Sequence, residues 1–255
     1  MSQFSRTERL LGGEGMKNLS AVRVAVFGIG GVGGYAAEAL VRSGIGAIDL
    51  IDDDRVTLSN LNRQVIALHS TIGQLKVDVM RERLMDINPA LKVQTHAMFY
   101  LPETADELDL SGFDYIIDAV DTVKAKLELV CRAAALKVPI ISAMGAGNKL
   151  DPAKLRAADI FDTNTCPLAR VMRGELRKRG IKALKVVYST EDAIEPIVDN
   201  ENIGDESSAS PTGTMRSGAA RRAVPGSTSF VPPAMGLLIA GVVVRDIALG
   251  KRVQD

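Results

Sequence analysis

The sequence predicts an α/β fold, a mostly parallel sheet with helices on both faces. Three observations point there. A β-branched apolar run (Val22, Val24, Val26) breaks into Gly28-Ile29-Gly30-Gly31-Val32-Gly33 and then into alanine-rich, helix-forming sequence from Tyr35 to Val41. A second short apolar run, Ala47 to Ile51, ends in the acidic triplet Asp52-Asp53-Asp54. A further strand–helix–strand unit runs from Asp114 to Ala143. Such units with right-handed crossovers give parallel strands covered on both faces.

The glycine turn also speaks to chemistry. Its glycines let the strand turn sharply and let N–H groups at the helix start approach phosphate oxygens, where the helix dipole favours negative charge. Asp52 follows Gly28 by 24 residues, close to where Rossmann-like folds set a carboxylate on ribose hydroxyls. An adenine nucleotide is expected on this turn, and the turn alone leaves NAD, FAD and ATP open.

Composition narrows the class. The chain has 255 residues, 46% hydrophobic and 24% charged, an ordinary globular composition long enough for one full α/β domain. Its 31 basic and 31 acidic residues cancel, so a polyanionic partner would need a local basic patch. The two cysteines, Cys131 and Cys166, form no CxxC pair, which argues for a reducing compartment and against a disulfide framework or structural zinc. No signal-like apolar segment opens the sequence, and the apolar stretch Ala234 to Val244 is expected to be too short to cross a bilayer. A cytoplasmic protein with no membrane contact is expected.

In chain order, residues 1–19 read as a short helix or arm. The first βαβ unit follows, then a long connection rich in Asn, Ser and Arg up to Lys76; long irregular connections inside compact domains are more often functional than accidental. Lys76 to Asn88 has helical periodicity and stops at Pro89, and Lys92 to Phe99 reads as a strand. Asp114 to Asp118 is a buried strand followed by Ala119-Val120-Asp121-Thr122; a helix at about 125–137 and a strand at 138–143 lead into a turn at Gly145-Ala146-Gly147-Asn148. Leu168 to Lys182 reads as a basic helix and Leu184 to Ser189 as a strand. Residues 199–229 are polar and Gly/Ser-rich and read as a mobile loop; an apolar helix, about Pro233 to Leu249, ends at Gly250.

Ser59-Asn60-Leu61-Asn62-Arg63-Gln64, then Lys76 and Asp121, discriminate between the nucleotides. Hydride transfer leaves the pyrophosphate of NAD intact and has no general need of cations there. Chemistry at a triphosphate gains negative charge in its transition state, which Arg, Lys and Mg²⁺ offset, and an Asp at a strand's C-terminal end suits Mg²⁺. Taken singly, each of Arg63, Lys76 and Asp121 also fits an ordinary surface charge.

The ordered set GIGGVG, DDD, SNLNRQ, GQLK and DAVDT closely resembles the superfamily of ubiquitin-activating-enzyme-like (ThiF/MoeB-type) adenylating proteins. The resemblance implies a single adenylating domain over 1–255: an arm (1–19), a nucleotide-binding core (20–160) and a substrate-facing extension (161–255). It implies that Arg9 reaches across a homodimer interface to the partner's triphosphate, that Gly31 approaches the phosphates and that Asp52 holds the ribose. Asn60, Arg63 and Lys76 would grip the triphosphate, with Gln64 and Thr122 beside them, and Asp121 would hold Mg²⁺. Within the superfamily, residues 142–160 and 166–181, leading to VVYSTED, resemble one branch, the tRNA threonylcarbamoyladenosine dehydratases. These close the threonylcarbamoyl side chain beside the anticodon into a ring at the expense of ATP. Attack of the side chain's carboxylate on the α-phosphate would give an acyl-adenylate, and a nitrogen of the same side chain would displace AMP. Because both groups belong to one molecule, no protein nucleophile is required.

The absence of CxxC pairs sets the chain apart from sulfur-carrier activators, which usually bind zinc; adenylation of a sulfur-carrier C-terminus is the alternative reading. Cys166 begins a predicted helix but has no accompanying His, which favours an unreactive thiol. The resemblance leaves room for a sulfur-relay or cysteine desulfurase partner. Arg170, Arg173, Arg177 and Lys178 could face the tRNA anticodon stem, helped by Arg216, Arg221 and Arg222 of the later loop, or simply form a solvated helix face. An NAD-linked oxidoreductase and an inert ATP-binding module are the remaining readings, disfavoured by the Arg63–Lys76–Asp121 set.

Overall fold

A computed structural model describes residues 2–197 and 225–250. Helix α1 (Ser5–Ala21) leads into β1 (Arg23–Phe27), α2 (Gly33–Ser43) and β2 (Ala47–Ile51); then come α3 (Lys76–Ile87), β3 (Lys92–His96), β4 (Tyr115–Asp118) and α4 (Val123–Leu136). Strands β5 (Ile140–Ala143) and β6 (Leu155–Asp159), helix α5 (Pro167–Lys178), strand β7 (Lys185–Ser189) and helix α6 (Val231–Leu249) complete the described chain. The sheet runs β3-β2-β1-β4-β5-β7-β6, and every pairing is parallel except β6 with β7.

That order places a switch point between β1 and β4. The chain winds outward from β1 to β2 and β3, then returns across the sheet to build β4 and β5. Ligands of such folds bind beyond the carboxyl ends of the strands at this point. Both faces are covered, as side-chain alternation requires. Val24 and Val26 of β1 point to a core shared with α1, α2, α3 and α6, while Ala25 and Phe27 point to one shared with α4. A third cluster joins α4 and α5 under β7.

Several expectations need adjustment. The N-terminal arm is a longer helix than expected, broken at Gly12 (φ 71°, ψ 169°). Strand β6 was not expected: it lies antiparallel at the sheet edge, and its central residues are exposed, so it lacks the buried apolar pattern of its neighbours. The strand expected over 92–99 ends at His96. The C-terminal helix expected from about Pro233 starts two residues earlier, at Val231, and runs for 19 residues. By length and hydropathy α6 could cross a bilayer; here 61% of its apolar window is buried, against α1 and α2. Of the loop expected over 199–229, residues 199–224 lie outside the described residues, as do Arg216, Arg221 and Arg222.

Close backbone approach fixes the β1–α2 unit. A Cβ on Gly33 would lie 1.8 Å from the Gly28 carbonyl oxygen, whereas one on Gly174 of α5 would meet nothing within 4 Å. Gly33→Ala should therefore cost about 3 kcal/mol or more through forced overpacking, and Gly174→Ala should gain up to about 1 kcal/mol through helix propensity. Urea unfolding of the two variants checks both signs.

Candidate active site

A cleft of about 550 Å³ opens where the carboxyl ends of β1, β2 and β4 meet. Gly28 forms its floor with φ +88°, in the left-handed region. A Cβ there would sit 2.7 Å from the Ala119 carbonyl oxygen, so β1 and β4 close on each other only because residue 28 is glycine. Gly30, Gly31 and Val32 line the cleft where α2 begins, and the first-turn N–H groups of a helix have no intrahelical partner. These are the elements of an anion site.

Asp52 extends from the end of β2. Its carboxylate accepts the N–H of Ile29 at 2.6 Å and that of Asp54 at 2.8 Å, so it braces the glycine turn as well as facing the cleft. Burial, the largest effect, raises its pKa above 3.8, against the pull of Lys76 and of those two N–H groups.

The long connection after β2 supplies the cations. A single turn at Leu58–Asn60 is tied by Asn60, whose Oδ1 accepts the Thr57 N–H. From it Arg63 enters the cleft half-buried, donating to the Ser59 carbonyl and Asn62 Oδ1, both at 2.9 Å. Burial lowers its pKa, and no carboxylate pairs with it among the described residues. Lys76, the first residue of α3, is 7% exposed in its side chain and donates to the more exposed Asp54 at 2.7 Å. Gln64 is buried, and its Oε1 lacks a partner.

Asp121 follows β4. Its exposed carboxylate accepts the Thr122 hydroxyl at 3.1 Å and has no cationic partner among the described residues. The turn that carries it is held from beneath. Asp118, fully buried, receives the Val120 N–H, the Ser142 hydroxyl and the Lys126 ammonium, the last at 3.1 Å. Lys126 is 1% exposed and also donates to the Ala143 carbonyl at 2.7 Å, joining α4 to the ends of β4 and β5.

The structure thus brings Gly28, Gly30, Gly31, Asp52, Asn60, Arg63, Gln64, Lys76 and Asp121 to one cleft. Gly33 and Thr122 are not on its walls: Gly33 packs against Gly28, and Thr122 caps α4 beside Asp121. Arg9 is exposed on α1, away from its own chain's cleft. The basic helix is more committed than its sequence suggests. Arg173 bonds the Thr163 carbonyl and hydroxyl, Arg177 stacks over Phe161 at 5.2 Å to the ring centroid, and Lys178 pairs with Glu175. None of them, nor Arg170, lines the cleft. Cys166 is 2% exposed and burial pushes the Cys131 thiol up, so neither is a ready nucleophile.

Sequence reading missed the apolar end, formed by Phe27, Ile51, Met98, Phe99 and Tyr100. Tyr100 stands edge-on to Phe27 at 5.0 Å; its buried hydroxyl has no partner, and burial pushes its pKa up to about 12. Apolar walls beside a phosphate-binding turn suit a nucleotide base. The aromatic pair just beyond β3 was the signal available. Reading also missed Ala146, Gly147 and residues 225–227, which line the same cleft.

Residues 4–160, more than half of the chain, match the ThiF family. The chain belongs to the ThiF family. The tRNA threonylcarbamoyladenosine dehydratase of Bacillus subtilis (strain 168) is 44% identical over all of this chain and 99% of its own. The enzyme of that name from Escherichia coli (strain K12) is 37% identical over 77% of this chain and 76% of its own. The E. coli dehydratase solved in complex with ATP superimposes with a TM-score of 0.83 at 31% identity, covering 99% of this chain and 96% of that one. The resemblance carried by the GIGGVG, SNLNRQ and DAVDT motifs is borne out, as is the α/β fold.

Two outcomes follow from the buried groups. Lys126→Met leaves Asp118 buried without its cation and should cost about 3–5 kcal/mol in urea unfolding. Asp52→Asn tests the raised pKa. Because the folded value exceeds the unfolded one, the stability this group contributes is present at low pH and lost as pH rises through the folded value. The stability of Asp52→Asn relative to wild type should therefore fall as pH drops from 7 toward 3.8.

Proposed function

We propose that this chain is an ATP-dependent tRNA threonylcarbamoyladenosine dehydratase, which activates the side chain's carboxylate as an acyl-adenylate and lets the same side chain close into a ring. The observation that carries the reading is the full-length match to enzymes of that name, over a cleft whose cations face a phosphate-binding turn. The base lies toward Tyr100 and the ribose on Asp52, with the phosphates across Gly30 and Gly31. A carboxylate oxygen attacks the α-phosphorus, the bond to the β-phosphate oxygen breaks, and pyrophosphate leaves. A nitrogen of the side chain then bonds the acyl carbon, AMP departs with the C–O electron pair, and the nitrogen loses its proton.

Arg63 and Lys76 offset the charge that develops on the departing pyrophosphate. Arg63 is held only by neutral oxygens, so it turns to phosphate without breaking an ion pair. Asp121, a hard oxygen donor with no cationic partner among the described residues, suits Mg²⁺, which when bound neutralises triphosphate charge. Arg9, exposed on α1, is assigned to the cleft of a second copy in a homodimer, and Arg170 with the neighbouring basic side chains to the tRNA anticodon stem. The enzyme is placed in the cytoplasm with its tRNA. A sulfur-relay partner has no exposed thiol to work through among the described residues. The alternative, activation of a sulfur-carrier protein, loses ground because the match to the dehydratases extends beyond the nucleotide-binding core to the end of the chain.

The test is turnover on tRNA bearing threonylcarbamoyladenosine, with nucleoside mass spectrometry. Loss of one water is expected with wild type, and a rate reduction of about 10²-fold or more in Arg63→Ala and Asp121→Ala. No mass change, with pyrophosphate exchange stimulated by a small carrier protein, would move the assignment to the alternative.

A further inference from the structure

Residues 225–227 line the cleft beside Asn62 and Gly147, where Pro225, Gly226 and Ser227 share walls with Gly31 and Arg63. This strap is fastened at two points. Asn148 adopts the left-handed conformation (φ +58°), donates its N–H to the Gly226 carbonyl at 2.8 Å and accepts the Gly226 N–H on Oδ1 at 2.6 Å. Asn62 donates from Nδ2 to the Ser227 carbonyl at 3.1 Å, while its Oδ1 accepts from Arg63.

Both ends of this arrangement are braced. A Cβ on Gly147 would come within 2.9 Å of Pro225, so the strap lies directly on the backbone before Asn148. Behind Asn148, the buried Lys149 ammonium bonds the Glu191 carbonyl, and the Glu191 carboxylate accepts the N–H groups of Leu150 and Asp151. Beyond the strap, α6 sits on the glycine turn: Cβ atoms placed on Gly31 and Gly236 would meet Pro232 at 3.2 Å and the Val32 carbonyl at 2.2 Å.

We propose that Asn148 is a positioning residue that seats residues 225–227 as a water-excluding wall over the reacting carboxyl group. This rests on the dehydratase reading above. An acyl-adenylate that admits water is hydrolysed: the water oxygen bonds the acyl carbon, the C–O bond to AMP breaks, and the protons pass to AMP and solvent. That cycle spends ATP and returns the open side chain. Ring closure is intramolecular and admits no second reactant, so a wall on this side costs nothing in access.

The readout is AMP released per ring closed, with tRNA bearing threonylcarbamoyladenosine, ATP and Mg²⁺. Asn148→Gly keeps the left-handed backbone and the bond from its own N–H but removes the Oδ1 acceptor; Asn148→Asp keeps an acceptor. Wild type and Asn148→Asp should release about one AMP per ring, and Asn148→Gly about fivefold more, the factor set by one net hydrogen bond, with the KM for ATP nearly unchanged. Amide exchange of residues 226–228 should accelerate in Asn148→Gly. A wild-type AMP ratio in Asn148→Gly overturns the assignment, whether or not exchange accelerates. Should wild type close no ring at all, the dehydratase reading falls by itself, and exchange alone then decides whether Asn148 seats the strap: acceleration supports it and no change overturns it.

Discussion

Contact between bare backbones governs this molecule. Gly33 rests against the Gly28 carbonyl, Gly28 against Ala119, and Gly236 against the Val32 carbonyl, each at a distance no side chain tolerates. The first contact closes the β1–α2 turn, the second brings β4 alongside, and the third sets α6 on top. The cleft is what remains between them. Its walls are therefore positioned by main chain, which has fewer ways to shift than side chains do.

Charge is distributed on a second logic. Lys126 and Asp118 are locked together out of solvent beneath the Asp121 turn, where exchange for another partner would leave a buried charge exposed to apolar surroundings. The charges on the cleft surface are loosely committed by comparison. Lys76 faces a largely exposed Asp54, Arg63 is held by neutral oxygens, and Asp121 accepts only a hydroxyl. Fixed charges hold the scaffold, and exchangeable ones line the cleft.

What the sequence displayed and what it hid follow from the same division. The glycine turn, Asp52, Lys76 and Asp121 were legible because each lies at or just beyond a strand end or helix start, whereas Arg63, inside the irregular connection between β2 and α3, was legible only through the SNLNRQ motif. Lys126 was not, for on a helix it reads like any solvated lysine until Asp118 and Ser142 arrive from two strands. The basic run from Arg170 to Lys185 is engaged within the fold in ways its local sequence does not show: Thr163, Phe161 and Asp246, which engage Arg173, Arg177 and Lys185, are brought near only by tertiary folding. Strand β6 gave no alternation because it is an edge, with only Leu155 buried. The wall at 225–227 is a long-range contact with Asn148, which no local pattern encodes.

Helix α6 carries a consequence for biogenesis. It fills the apolar space against α1 and α2, yet it is the last described element in the chain, made after every strand of the sheet. On the ribosome, the faces of α1 and α2 that α6 covers wait without it through the synthesis of all that lies between. Incomplete chains thus present a greasy groove of the kind that holdase chaperones retain. The completed helix both fills that groove and delivers Pro232 to the cleft, so the apolar face is covered and the cleft wall completed in one step.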